Sequence, residues 1–316
     1  MMLKQWLCGL LGFVLGSSVL WAAPSDKPYR LVVATMFCDE APWLREWVEY
    51  HRLVGVDHFI LYNNGSKDGW REVLAPYLQE GLVEVHDWPT RKGPHGWVIL
   101  NQRPAMEDAL RRFRKKAHWV SFLDIDEFLL PLQHDDAPSF LAAIERDVPK
   151  VGAVFVSWVR YGTSQVWDLL PGDTMIERLT WHGDAAASDH QGKVIVRPEA
   201  VHRVAQVHDV ELKKGFIAVR PNREPHQTRR VGTLGNGQPL NMTNGGNYDV
   251  AVINHYELRT ERYYAEEKIP KKLAMDGKLF CTVWGRKYEE LNLIHDDLGP
   301  IGRFVPALRE KLFGGR

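Results

Sequence analysis

Trp119-Val120-Ser121-Phe122-Leu123-Asp124-Ile125-Asp126-Glu127-Phe128-Leu129-Leu130-Pro131 is the stretch whose reading decides the fold of this chain. Trp119 to Leu123 has the length and composition of a buried strand, and a second apolar run opens at Phe128. Between the two runs stand Asp124, Asp126 and Glu127. Acids held between buried segments are costly unless something binds them. Two carboxylates one residue apart, on a turn just past a strand, supply hard oxygen ligands that suit Mn2+ or Mg2+ and leave coordination positions for a diphosphate. An Asp-x-Asp triplet also arises by chance on surface turns, so its weight here comes from its setting.

Working outward, Tyr29 to Thr35 reads as a buried strand, and Pro42 opens a helix in which Trp43, Leu44, Trp47, Val48 and Leu53 recur at helical spacing. His58 to Tyr62 is a second strand, followed by the polar turn Asn63 to Gly69 and a short helix from Trp70 to Tyr77. A third strand spans Leu82 to His86. After a Pro- and Gly-rich loop (Pro89 to Gly96), Gln102 to Lys116 carries a helical pattern that leads into the strand ending at Asp124. Alternating strands and helices predict an α/β fold with a mostly parallel, Rossmann-like sheet and helices on both faces. Ligands collect at the carboxyl ends of such strands, where Asn63, Asn64 and Asp124 fall. Beyond Pro138 the pattern predicts a helix to about Asp147 and strands at Val151 to Val156, Val194 to Val196, Val201 to Val210 and Val250 to Asn254. Gly232 to Asn247, crowded with Gly and Asn, reads as a mobile surface loop, and a last helix runs from Thr260 to about Ala274.

Forty basic residues balance forty acidic ones in the 316-residue chain, which leaves no sequence-wide positive field, so no nucleic-acid partner is expected. The twelve Trp supply rings suited to sugar faces, but most serve the core. At the amino terminus Lys4 precedes an apolar stretch from Trp6 to Trp21 that ends at Ala22, Ala23 and Pro24. This layout predicts a signal peptide over residues 1–23, cleaved near Ala22, or an uncleaved membrane anchor. The mature chain is accordingly expected to be exported, secreted or periplasmic, or to meet the membrane only through this segment. Cys38 and Cys281 lie outside it, and their spacing does not say whether they pair.

Further candidates are weaker one by one. The turn from Tyr62 to Gly69 offers Asn64 and Asp68 to a ribose or base edge, or is a plain Asn-Gly turn. Asp39-Glu40 ends the first strand, either facing a ligand or capping the helix beside Pro42. His255 ends a late apolar strand and is either a metal ligand as neutral imidazole or a core histidine. Arg197, with Lys193 shortly before it, is either positive charge for a diphosphate or a solvated edge.

Taken together these residues resemble glycosyltransferase family 92. The similarity begins at Asp39-Glu40-Ala41-Pro42-Trp43-Leu44-Arg45-Glu46-Trp47-Val48-Glu49-Tyr50-His51 and runs through Gly55-Val56-Asp57-His58-Phe59, the turn Tyr62 to Gly69 and the acid motif. It continues through Ile176-Glu177-Arg178-Leu179, Lys193-Val194-Ile195-Val196-Arg197-Pro198-Glu199 and Ile253-Asn254-His255-Tyr256, all in the family's order. The resemblance implies a GT-A fold, related to family 2 glycosyltransferases, over residues 28–316. A nucleotide-sugar half would span 28–135 and an acceptor-side half 136–316. It further implies a UDP-sugar donor, UDP-galactose being favoured, a glycan or glycoconjugate acceptor, Mn2+ (or Mg2+) dependence and inversion at the anomeric carbon. Glu40, Asn64 and Asp68 are thereby assigned to the nucleoside, and Gln102 and Arg197 are taken as further donor contacts. Asp124 and Asp126 are assigned to the metal, and His255 to the metal or the diphosphate. The block Trp158-Val159-Arg160-Tyr161-Gly162-Thr163-Ser164-Gln165-Val166 departs from the family's pattern, and it is the block expected to face the acceptor.

The reaction expected is a single displacement, in which a carboxylate takes the proton of an acceptor hydroxyl as that oxygen attacks the sugar. Glu177 is the first choice of base, with pairing to Arg178 as its alternative role, and Asp184 is the second. Two rival readings are a noncatalytic glycan-binding protein on the same fold and a metal-dependent nucleotide-sugar phosphohydrolase, which would need an activated water and further ligands.

Overall fold

The computed structural model describes residues 27–92, 101–185, 191–233, 239–243, 246–276 and 279–314. The amino-terminal apolar segment, with its cleavage point near Ala22, and the second half of the loop predicted at Pro89 to Gly96 lie outside them, as does the side chain of Cys281. Cys38 is a free, exposed thiol. No described helix is long and apolar enough to cross a membrane.

In chain order the first half contains β1 (Tyr29–Phe37), α1 (Ala41–Leu53), β2 (His58–Asn63), α2 (Trp70–Glu80), β3 (Val83–Asp87), α3 (Arg103–Phe113), β4 (Ala117–Phe122) and β5 (Glu127–Pro131). Next come α4 (Ala137–Asp147), β6 (Val151–Arg160), α5 (Met175–Arg178), β7 (Trp181–His182), β8 (Gly192–Val196), β9 (Val201–Gln206), β10 (Asp209–Leu212) and β11 (Ile217–Val219). The remainder is β12 (Thr228–Thr233), β13 (Pro239–Thr243), β14 (Ala251–His255), α6 (Glu261–Tyr263), a π-helical turn, α7 (Ile269–Asp276), α8 (Leu279–Leu291), β15 (Ile294–His295) and α9 (Val305–Phe313).

The main sheet has the order β3-β2-β1-β4-β8-β6-β14-β5, with β11 paired to β6. Strands β1 to β4 pair in parallel, as do β6 with β14 and with β11. β8 is wedged between β4 and β6 antiparallel to both, and β5 runs antiparallel to β14. The α/β class and mostly parallel sheet expected from the alternation are therefore what the chain adopts. Strand alternation sends Leu31 and Val33 to one face and Val32 and Ala34 to the other. The first face packs against α1, α2, α4 and α9, the second against α3 and the β9–β10 hairpin. Covered on both sides, β1 and β2 read as unbroken apolar runs.

Three expectations are corrected. The span Val201 to Val210 is not one strand but two, because the chain reverses at Val207-His208 and pairs back on itself. Residues expected to form a loop from Gly232 pair instead as the antiparallel ribbon β12–β13. The direction of β8 carries Arg197 away from the strand ends at which ligands were expected, with the consequence described below.

Candidate functional site

The acid turn lies past the carboxyl end of β4 and is closed by its own members. Asp124 N–H donates to Glu127 Oε2 at 2.9 Å, and Glu127 N–H donates to the Asp124 carbonyl at 3.0 Å. Trp47 Nε1 of α1 donates to the Glu127 carbonyl (3.0 Å), and Tyr256 N–H to the Asp126 carbonyl (2.8 Å), so the turn is held from both sides. Glu127 is fully buried, and Oε1 has no hydrogen-bond partner. Burial pushes its carboxyl well above the usual range, against the pull of Lys193.

Lys193 is the central cation. Because β8 runs antiparallel to β4, its first residues come up beside the acids, and the ammonium meets Asp124 Oδ2 at 2.8 Å and Glu127 Oε2 at 3.4 Å. Burial would discharge it, but Asp124 and Glu127 hold its pKa above the ordinary lysine value. On the other oxygen of Asp124, Gln102 Nε2 stands at 3.5 Å. Thr35, Tyr62, Gln102, Asp124 and Lys193 line a cavity of about 20 Å³, the size of a water.

Asp126 has a different set of partners. His255, at the end of β14, places Nε2 3.6 Å from Asp126 Oδ1, and Arg259 Nη2 lies 3.7 Å from Oδ2. Burial drives the His255 pKa well below its usual value, so the ring is neutral and chemically able to ligate a metal. Arg259, only 2% exposed, also donates to Glu40 Oε2 at 2.6 Å and lies over the rings of Trp43 and Tyr263. Burial opposes its charge, but Glu40, with Tyr263 and Asp126, raises its pKa.

At the ends of β1 and β2 the predicted donor residues do come together. Asp68 Oδ2 accepts the Ala41 N–H at 2.6 Å, so the start of α1 is capped by the neighbouring turn and not by Glu40, while Asp68 Oδ1 is buried without a partner. Asp39, at φ +56°, accepts the Lys67 N–H at 2.7 Å. Asn64 donates from Nδ2 to the Trp88 carbonyl (2.7 Å) and accepts from Thr90 Oγ1 (3.1 Å), tying β2 to the chain after β3.

The remaining candidates divide. Asp184 lines a cavity of about 270 Å³ with Arg160, the residue paired with His255 across β6 and β14. Glu177 is not brought to the acids. It sits in α5, where Thr174 Oγ1 accepts the Glu177 N–H and donates to its Oε2 (2.7 Å), and Arg309 of α9 ion-pairs with it at 3.0 Å. Its carboxylate is engaged in fastening α5, and Arg178 pairs with Asp173 instead. Arg197 is corrected outright as a donor contact. It follows β8, which descends antiparallel to β4, so it lies at the opposite end of the sheet beside Glu199 (3.1 Å), which Lys27 also holds.

Sequence reasoning missed Arg259, which has no local motif, and underrated Lys193 and Glu127. Asp124, Asp126 and a neutral His255 have the donor chemistry of a divalent-metal site, with Asp124 39% exposed on its side chain. With Lys193 and Arg259 drawn onto the carboxylates, no three His, Cys, Asp or Glu side chains among the described residues are grouped as a ready metal shell.

Fold and site define an α/β domain that offers paired carboxylates and hydrogen-bonding groups at adjacent strand ends. The chain belongs to glycosyltransferase family 92, whose model matches residues 27–223. It is similar to a glycosyltransferase family 92 protein of Oryza sativa subsp. japonica, 30% identical over 199 residues covering 60% of this chain and 31% of that protein. A galactan beta-1,4-galactosyltransferase of Arabidopsis thaliana is 34% identical over 105 residues, 32% of this chain and 20% of that one. The chain thus spans about a third of the length of the curated relatives it matches over most of its own. Among solved structures, S. aureus TarS 1–349 aligns at 10% identity with a TM-score of 0.34, covering 54% of this chain and 47% of that one.

Proposed function

We propose that this domain transfers a hexose, galactose by preference, from a UDP-sugar to a glycan or glycoconjugate acceptor with inversion, on a GT-A scaffold and with Mn2+ or Mg2+ bound. The observation that carries the reading is the acid turn at the end of β4, with only β1 between it and the strand that leads to Asn64 and Asp68, and faced by Lys193, His255 and Arg259. Asp124 and Asp126 would hold the metal, with His255 completing its ligands or meeting the diphosphate. When bound, the metal supplies positive charge where the departing diphosphate gathers negative charge. Arg259 pairs with Glu40 and stands beside Asp126, so the acids stay oriented before donor arrives. Glu40, Asn64 and Asp68 border the nucleoside. Gln102, hydrogen-bonded to Asp124, positions that carboxylate.

For the base, Asp184 takes precedence over Glu177, because it adjoins Arg160 one strand from His255 while Glu177 is engaged by Thr174 and Arg309. A panel of UDP- and GDP-sugars, with and without Mn2+ and a set of oligosaccharide acceptors, tests the proposal. Metal-dependent transfer from one donor, lost in Asp126→Ala and in Asp184→Asn but kept in Glu177→Gln, is the expected result. Release of sugar 1-phosphate and nucleoside monophosphate, with no transfer, would favour the phosphohydrolase. Glycan binding with no turnover would favour the lectin-like reading. Membrane attachment or export through residues 1–23 is part of the proposal, and is tested by the amino-terminal sequence of the protein recovered from each cell fraction.

A further inference from the structure

We propose that Lys193 is an exchangeable counter-ion, holding Asp124 while the site is without metal, then releasing it to a divalent cation and pivoting on Glu127 to meet the donor's diphosphate. This rests on the metal and donor reading above and adds an order of events to it.

The geometry that points there is the sharing of one ammonium by two unlike carboxylates. Asp124 Oδ2, at 2.8 Å, belongs to a side chain 39% exposed, reachable from solvent. Glu127 Oε2, at 3.4 Å, belongs to a side chain with no exposure. A cation arriving from solvent therefore competes with Lys193 for Asp124 and not for Glu127. Withdrawing the ammonium from both acids would leave the fully buried Glu127 carboxyl without its cation, an unfavourable state. Keeping the contact to Glu127 while giving up Asp124 avoids it. The Lys193 ammonium has three N–H donors and a flexible stem, so a small swing suffices. The path is walled: Trp158 lies with its ring 6.0 Å from the ammonium, and Gln102 holds the far oxygen of Asp124. The water-sized cavity lined by Asp124 and Lys193 provides room on the side of β1 and α3.

Two consequences run in opposite directions. Lys193 weakens metal binding to the empty site, because the metal must displace a cation of the same sign. It strengthens binding of metal and nucleotide together, because the released ammonium gains phosphate oxygens. A residue that merely braced the turn would, when removed, weaken both.

The experiment is Mn2+ titration of the full chain followed by electron paramagnetic resonance of free Mn2+, and calorimetric titration of UDP at saturating Mn2+, on wild type and Lys193→Met. The variant is expected to bind Mn2+ alone at least tenfold more tightly and UDP with Mn2+ at least tenfold more weakly. Should the single variant not fold, Lys193→Met with Glu127→Gln removes both members of the buried pair and is expected to give the same two shifts. Unchanged or weaker Mn2+ affinity in a folded variant, with wild type binding Mn2+ and UDP normally, overturns the exchange alone. No Mn2+ bound by wild type even with UDP overturns the metal reading, and the exchange with it.

Discussion

Arg259 bears the heaviest electrostatic duty in the site, and its replacement by Met is the sharpest structural test. The guanidinium is 2% exposed, donates to Glu40 at 2.6 Å, stands 3.7 Å from Asp126 and lies over the rings of Trp43 and Tyr263. With an effective dielectric of about 20, a unit pair at the Glu40 distance attracts by roughly 6 kcal/mol before desolvation is counted. Breaking a buried pair by removing one partner costs about 3–5 kcal/mol, since the surviving charge is left without compensation. Met keeps much of the volume and the ring contacts, so the loss isolates charge from packing. Urea denaturation should show Arg259→Met destabilised by about 3–5 kcal/mol. Glu40→Gln should restore part of that loss when combined with it, giving a coupling of about 1–3 kcal/mol in the cycle. A loss below about 1 kcal/mol, or strict additivity in the double variant, would refute the buried-pair argument.

Gly192→Ala tests the seat of Lys193, because a Cβ there would lie 2.0 Å from the Val156 carbonyl oxygen. Since neither strand can yield cheaply, a cost of at least about 1–3 kcal/mol is expected, seen as a fall in Tm of a few degrees or more, and an unchanged Tm would contradict the β6–β8 register. Acid sensitivity follows from His51, whose burial lowers its pKa to about 4 while Nδ1 meets the Trp47 carbonyl. The unfolded chain takes up this proton near pH 6.5 and the folded chain only near 4, so stability falls as pH drops through that window, by about 3 kcal/mol for this residue. His51→Gln should flatten the dependence of the urea midpoint on pH between 6.5 and 4.5, and an unaltered slope would refute it. Glu46 has the opposite sign: burial raises it to about 7 although the Met175 and Ile176 N–H groups donate to it. The folded chain therefore holds its proton from about pH 4.5 to 7 and loses that contribution on going alkaline. Glu46→Gln should make stability less sensitive to pH over that range, with equal slopes for variant and wild type as the contrary result.

What the sequence made legible is what local pattern encodes. The runs of β1, β2 and β4 are apolar on both faces, α1 has its periodic Trp43, Leu44, Trp47 and Val48, and Asp124 and Asp126 interrupt two buried runs, so fold class and acid pair were readable. His255 was readable as the polar end of an apolar strand. The role of Glu177 was also encoded, since Thr174 three residues before it gives the Thr-x-x-Glu helix-start pattern, and Thr174 Oγ1 accepts the Glu177 N–H and donates to its carboxylate. Arg197 was misplaced because strand direction is a nonlocal property: nothing within Lys193 to Glu199 says that β8 enters the sheet antiparallel, exchanging Lys193 for Arg197 at the site. Arg259 was invisible for the same reason. Its partner Glu40 is 219 residues away in the chain, and Glu257-Leu258-Arg259 looks like any polar turn after a strand. The ribbon β12–β13 was obscured by the Gly and Asn residues crowded into the sequence from Gly232 to Asn247, which outweighed its strand-like residues.

The central claim is that Asp124 and Asp126 hold a metal against the diphosphate of a nucleotide. Crystals grown with Mn2+ and UDP, with data collected at the manganese absorption edge, test it directly. The account predicts a single anomalous peak within coordination distance of the Asp126 carboxylate and a UDP phosphate oxygen, with the Lys193 ammonium moved off Asp124. UDP bound at the ends of β1 and β2 with no anomalous peak at the acid turn, or a peak at another place in the molecule, would contradict it.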